Sequence, residues 1–475
     1  MIYAALYSSI AQRAAVWCRA LAVAGIALAV ASPLAAQSTL RLRTLATPAA
    51  SAAARREQAS TATASAVSAR NSPSGMSLPD EPADADALVV DQPDWEDGFA
   101  FDEAPPEETE PWLDPPRSMD RLWVHSEALA WRIQGMKAPA LVTTSNANAG
   151  RESAGKIGEG TTLILFGGER IGDSVETAGR LRFGFWWSDT QQDGLEVRYL
   201  KGAAATNTFE AGSGTYPILA RPFQNVEMDF MGEDVELIAF PGQLTGSVRV
   251  DASSRFDTLE LLYRRPIVRG PCEQLDLYVG YRHGHLADHL SIHDTKTSIA
   301  LGGPTAVGTT LEETDSFLVE NHFHGAQVGV ARWRRRGCWS TELTAKIAAG
   351  TTTRRSSLAG STTVTVPVPG QTPDITVRNT GLLVQDSNAG IREDNLFGVL
   401  PEIGLTIGYD FSSNLRFTFG YTYMHWQGVT RAASLVDRQL NLTQLDPNGL
   451  VGASRPAFPR IGDGVGAQGF SLGLD

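Results

Sequence analysis

Every second residue from Leu415 to Tyr423 (LRFTFGYTY) is apolar or aromatic, and the residues between them, Arg416, Thr418, Gly420 and Thr422, are polar or tiny. Successive side chains of a strand point to opposite faces, so a period of two predicts a strand with one apolar face. The pattern recurs. In Ile403 to Phe411 (IGLTIGYDF) the apolar set opposes Gly404, Thr406, Gly408 and Asp410, and in Leu181 to Trp187 it opposes Arg182 and Gly184. Leu275, Leu277, Val279 and Tyr281 oppose Asp276, Tyr278, Gly280 and Arg282, while Trp339, Leu343 and Ile347 oppose Glu342, Thr344 and Lys346.

Alternation alone does not say which face is wet, because sandwiches and soluble barrels alternate too. Here small and charged residues crowd one face, and Trp187, Tyr281, Tyr409, Phe411 and Tyr423 lie near the ends of the other. A polar interior with an apolar outer band edged by aromatics is the requirement of a transmembrane barrel. The connections agree. Four short links (Thr190 to Asp193, Pro266 to Cys272, Arg335 to Gly337, Ser412 to Asn414) alternate with five long ones, 134–177, 204–245, 288–315, 351–397 and 428–467. That alternation predicts an all-β, antiparallel, up-and-down barrel of ten strands, or twelve if a hairpin hides around Thr351 to Val366, with short periplasmic turns and long external loops.

A barrel of this size is narrow, since about eight strands already enclose an interior filled by side chains. The expected lumen charges are Arg180, Arg182, Glu260, Asp276, Arg282, Glu342, Lys346, Asp410 and Arg416. Either they pair across the axis into a salt-bridged core, or they line a selective pore for small solutes.

The segment ahead of the strands reads differently. Arg13 and Arg19 precede an uncharged run, Ala20 to Ala31, then Pro33 and the small residues Ala35 and Ala36, which together make an export signal over residues 1–36. The run is too short for a membrane anchor, which takes about 20 apolar residues, and no later run approaches that length. Asp80 to Asp114 holds 14 acidic residues and no Lys or Arg, so residues 37–117 are expected to be a disordered acidic arm in the periplasm. The formal charge of −13 therefore says little about the remainder. Seven of the 40 basic and 15 of the 53 acidic residues precede Pro115, leaving 33 against 38, and near-neutrality without a basic cluster excludes nucleic acid as a partner.

Two cysteines follow the signal, Cys272 and Cys338, in short turns on the same rim. The turns are close enough to consider a disulfide, which needs Cα atoms within about 7 Å; the alternative is two separate thiols. Of eight histidines, His283, His285, His289 and His293 crowd the fifth strand and its loop, and His322 and His324 begin the sixth. Pairs at i, i+2 can ligate zinc or copper, but no carboxylate or cysteine completes a recognisable spacing, so they are read as interface residues at headgroup depth and no metal or other cofactor is expected. Asp288, Ser291 and Asp294 beside them would suit a rim hydrolase. No phosphate-cradling glycine loop, nucleophile elbow or zinc-protease helix is present, and the chain is not expected to be an enzyme.

The stretches RLWVHSEALAWRIQGMKAPALVTTS (Arg121 to Ser145), GRLRFGFWWSD (Gly179 to Asp189), VRVDASSRFDTLEL (Val248 to Leu261), LDLYVGYRH (Leu275 to His283) and GYTYMHWQGVTRAASLVD (Gly420 to Asp437) resemble the seventh of the numbered beta-barrel porin families, of the planctomycete type. The resemblance runs through most of residues 121–475 and implies an outer-membrane barrel over 118–475; it supplies no functional residues to carry over. Barrels of that kind close on a strand with an aromatic near its end, whereas Gly469 to Asp475 would make a short last strand. The function expected is a small porin, with a non-conducting structural or surface-binding barrel and a rim hydrolase as alternatives. Expected partners are outer-membrane lipid, the barrel-insertion machinery and, for a pore, small solutes.

Overall fold

The computed structural model describes residues 121–475 apart from 229, 304, 413–414, 446–448, 460–461 and 475. The expected export signal and acidic arm lie outside the described residues. Ten strands make the wall: β1 (Leu122–Ile133), β2 (Val175–Trp186), β3 (Gly194–Gly202), β4 (Leu244–Arg269), β5 (Glu273–Ser298), β6 (Thr310–Arg336), β7 (Trp339–Val366), β8 (Gly390–Ser412), β9 (Leu415–Val429) and β10 (Asp463–Leu474). Each pairs antiparallel with the next, and β10 pairs with β1 from Ser126↔Leu474 to Ile133↔Ala467, so the sheet closes on itself as a ten-stranded ring. Closure leaves no free edge among the ten strands of the ring, as hydrocarbon demands. The last strand begins at Asp463 and is hydrogen-bonded on both sides, to β9 and to β1.

The link lengths differ from expectation among both the short turns and the long loops. Two short turns shrink, to 270–272 and 337–338, and the first lengthens to 187–193, while the expected long loop 288–315 is reduced to 299–309, and 351–366 continues β7 with a small flap, Asp374–Arg378, hydrogen-bonded to its end. No hairpin enters the ring there. The four strands β4 to β7 are 26 to 28 residues long. At about 3.3 Å per residue and the usual barrel tilt they stand roughly 60 Å tall, more than twice the apolar band of about 25 Å that a membrane requires.

The surplus is explained by a reversal of polarity along each tall strand. On β5, Leu275, Leu277, Val279 and Tyr281 face outward and Asp276, Tyr278 and Arg282 inward; from His283 on, the outward face holds His285, His289, Ser291 and His293, and the inward one Leu286, Leu290 and Ile292. On β4 the outward Tyr263, Leu261 and Leu259 give way to Asp257, Arg255, Ser253, Asp251 and Arg249, and the inward Glu260 gives way to Phe256, Ala252, Val250 and Val248. The lower half is therefore polar inside and apolar outside, and the upper half is polar outside with an interior that is apolar apart from buried ion pairs. An apolar exterior is stable only against lipid and a polar one only against water, so the reversal marks the outer edge of the membrane band. Trp187, Tyr263, Trp339, Tyr409 and Phe411 edge the band near the short turns, with Trp339 packed edge-on against Tyr409 at 4.9 Å, and Tyr199, Tyr281, Tyr421 and Tyr423 edge it at the reversal.

The upper interior is filled by the long connections. Leu219–Asn225 is the centre of a small sheet with Gly232–Ala239, Val142–Thr144, Leu163–Phe166 and a parallel pair of residues, Gln439–Leu440. Its Leu219 and Phe223, with Met136, Leu141, Ile238, Leu383, Ala432 and Leu435 from the connections, form one buried cluster with Val248, Val250, Leu290, Ile292, Phe317, Val319 and Leu358 of the wall.

Candidate functional site

The inward side chains of the lower half come from all ten strands, and their pairing decides whether the bore is open. Arg182 on β2 donates to Glu342 on β7 at 3.1 Å. Those strands stand five positions apart in a ring of ten, so this contact crosses the full diameter. Glu127 on β1 meets Arg180 at 3.2 Å and Arg182 at 3.7 Å. Arg282 meets Glu402 at 2.7 Å and Glu260 at 3.8 Å, and the Lys346 ammonium lies 2.8 Å from each of the same two carboxylates. Gln327 donates to Glu260 at 2.8 Å. Between Arg180, Arg198, Thr258, Glu260, Lys346 and Glu402 about 10 Å³ of free space remains, at or below the roughly 10–15 Å³ that a single water needs.

A second layer lies one or two inward positions further up each strand. Trp426 on β9 packs edge-on against Phe256 of β4 (6.2 Å between centroids) and Phe323 of β6 (6.0 Å), with β4 again diametrically opposite, and its indole N–H donates to Thr352 Oγ1 at 3.1 Å. Trp131, Leu200, Leu286, Leu400 and Met424 complete the layer.

Above it, two buried ionic latches tie the connections to the wall. Arg431 pairs with Asp288 of β5, and its guanidinium also donates to Ser254 Oγ (3.1 Å) and the Gln134 carbonyl (2.8 Å). Arg221, in the small sheet and 1% exposed, forks between Asp294 (2.7 Å) and Asp315. Asp315 accepts from the backbone N–H groups of Leu383 and Val384 as well. Beside it Lys296 meets Glu236 (2.5 Å) and Glu313 (2.6 Å); burial alone would lower its pKa, but these carboxylates and Asp294 outweigh it and hold the ammonium above the ordinary lysine value.

At the end bearing the short turns the lumen widens to a cavity of about 500 Å³ lined by Trp123, His125, Arg182, Arg264, Tyr278, Trp333 and Glu342 among others. Arg264 meets Asp276 at 2.6 Å and Glu196 at 3.4 Å while lying over the rings of Trp123 (5.3 Å) and Trp186 (5.0 Å). The Trp123 indole covers Gly184, where a Cβ would sit 1.9 Å from the ring. Only glycine permits that approach.

All nine charges singled out from the sequence face the interior: Arg182, Asp276, Glu342, Asp410 and Arg416 toward the cavity end, and Arg180, Glu260, Arg282 and Lys346 in the packed layer. Glu127, Glu196, Arg198, Arg264, Gln327 and Glu402 belong with them and were missed. The signal for Glu196 and Arg198 was present, since Leu195, Val197 and Tyr199 alternate with them, and Glu402 continues the phase of Ile403 by one residue.

The structure bears on three alternatives that the sequence left open. Cys272 and Cys338 are free thiols: the Cys272 carbonyl accepts from the Arg335 backbone N–H at 2.7 Å, so their turns adjoin, but no bridge joins them. Thiol titration of folded chain lacking residues 1–36, without reductant, is accordingly expected to count two; a count of zero would restore the bridge. The rim hydrolase is not assembled, because neighbouring residues of a strand face opposite ways: His289 and Ser291 lie outside the wall, while Asp288 and Asp294 lie inside, held by Arg431 and Arg221. His289 Nε2 is 3.2 Å from Ser316 Oγ on an open outer face. Finally, the charged and aromatic layers fill the lower bore with side chains that meet across it.

The family model described as Putative beta barrel porin-7 matches residues 123–475. No curated protein matches the chain. Among solved structures, the outer membrane protease OmpT of Escherichia coli aligns at 8% identity over 75% of this chain and 96% of its own, with a TM-score of 0.31. The in-vitro folded outer membrane protein OmpT of Vibrio cholerae, in its trimer form, aligns at 9% identity over 74% of this chain and 100% of its own, with a TM-score of 0.10. The closed register of the ten strands, not these superpositions, carries the fold assignment.

Proposed function

The chain belongs to the beta barrel porin-7 family, and from that premise we propose that it is an integral outer-membrane barrel that conducts nothing in its resting form, a structural barrel whose tall outer half makes contacts outside the cell. The observation that carries this reading is the pair of contacts across the whole diameter, Arg182 to Glu342 and Trp426 to Phe256. An ion would have to break buried charge pairs and then cross an apolar layer, and each barrier is large in a medium of low polarity. Residues 1–36 would direct export, the acidic arm 37–117 would lie in the periplasm, and the barrel-insertion machinery and lipid would be its partners in assembly. We assign it no enzymatic reaction, since the polar rim residues that would be needed point to opposite sides of the wall.

The porin reading keeps one observation in its favour, the cavity of about 500 Å³ at the short-turn end, which would serve as a vestibule if the long connections swing out. Purified barrel reconstituted in planar bilayers separates the two. No unitary current at neutral pH is expected. Steady channel openings in the unmodified protein would sink the closed reading and restore passive passage of small solutes.

A further inference from the structure

We propose that the cross-strand histidine ladder on the outer face of β5 and β6 is a site for a divalent first-row transition metal, taking Cu(II) most tightly. Register places His283 opposite His324 and His285 opposite His322. Their rings are in contact: His283 and His324 are tilted at 37° with centroids 4.7 Å apart, His285 and His322 are stacked at 4.6 Å, and His283 and His322 are stacked at 6.1 Å. They lie where the apolar band ends, with His324 exposed and the other three rings half-buried.

For two of the four rings the partner on Nδ1 can only accept, which fixes the tautomer a metal needs. His285 Nδ1 is 3.1 Å from Asp257 Oδ2 on β4 and donates to it, which leaves the Nε2 lone pair free; that Nε2 is shielded from solvent and has no hydrogen-bond partner. His283 Nδ1 donates to the Phe323 carbonyl at 3.1 Å, again freeing Nε2, and His324 Nδ1 is held by the Tyr281 hydroxyl at 2.5 Å. A carboxylate or carbonyl on the far nitrogen is how metal-ligating histidines are oriented and made more basic. The carboxylate on His285 comes from the neighbouring strand, where Asp257 pairs with it. Among the described residues no three His, Cys, Asp or Glu side chains gather around one point. The ladder therefore binds through cross-strand pairs of imidazoles, with water in the remaining positions. Such nitrogen sites follow the order Ni(II) below Cu(II) above Zn(II).

The test is titration of the purified, detergent-solubilised barrel with Cu(II), followed by calorimetry and by electron paramagnetic resonance. Nitrogen hyperfine coupling in the unmodified protein is expected, with weaker binding of Zn(II). His285→Asn combined with His322→Asn should weaken Cu(II) at least tenfold. Asp257→Asn, which removes no ligand, should weaken it by about tenfold through the lost orientation of His285. His289→Asn with His293→Asn, further up the same face, should leave the isotherm unchanged. Each variant is checked for the faster-migrating unboiled gel band of a folded barrel; if the double variant lacks it, His324→Gln alone, at an exposed position, carries the comparison. Absence of nitrogen coupling in the unmodified protein, or a loss that follows His289 and His293 instead of the ladder, would overturn the proposal.

Discussion

Arg221→Ala is expected to free the external connections from the wall while the lower barrel stays folded. The substitution leaves Asp294 and Asp315, both inaccessible to solvent, without their shared guanidinium. Removing one partner of a buried ion pair typically costs about 3–5 kcal/mol, and here the cost falls on the docking of the small sheet, because Arg221 is the sheet's contribution and the two aspartates belong to β5 and β6. The measurement is protease sensitivity of intact cells or proteoliposomes. Cleavage within residues 213–243 should rise by an order of magnitude or more while the heat-modifiable band persists. Lys in place of Arg keeps the charge and loses the fork, so it should fall between. An unchanged cleavage pattern in Arg221→Ala would show that apolar packing of Leu219 and Phe223 alone holds the cap.

Arg282→Ala acts on the other half of the molecule. Arg282 is fully buried, and its removal leaves Glu260 and Glu402 to share Lys346. Two carboxylates and one ammonium in a packed bore are one charge out of balance, a defect again worth about 3–5 kcal/mol. The temperature at which the unboiled gel band disappears should fall by roughly 5 °C or more. Combining Arg282→Met with Glu402→Gln removes the imbalance, and the double variant is expected to recover most of the loss, since contacting residues are not additive. If the double variant is as unstable as the sum of the two single ones, the network is not the coupled unit described above.

How far the sequence carried depended on where its alternation was clean. In Leu415 to Tyr423 and Leu181 to Phe185 the apolar phase was unbroken, and strand, facing and inward charges all followed from it. The upper parts of β5 and β6 read as loop in the sequence because Leu286, Leu290 and Ile292 alternate with histidines and serines in the opposite sense from Leu275 to Tyr281. The period of two persists through that point. Only its polarity inverts, and a reversal of phase within one strand is itself a legible mark of a membrane edge.

The residues alone determined that strands form, which side chains share a face, and that ten strands alternate short and long connections, because these rest on a two-residue period and on local turn length. Which side chains meet across the bore appears only in three dimensions. Arg182 and Glu342 are 160 residues apart, and Trp426 meets Phe256 only because β9 and β4 fall on opposite sides of the ring. Ring position, register and the inward folding of the connections are set by closure of the whole sheet, and no local pattern encodes which inward side chains will meet across its axis.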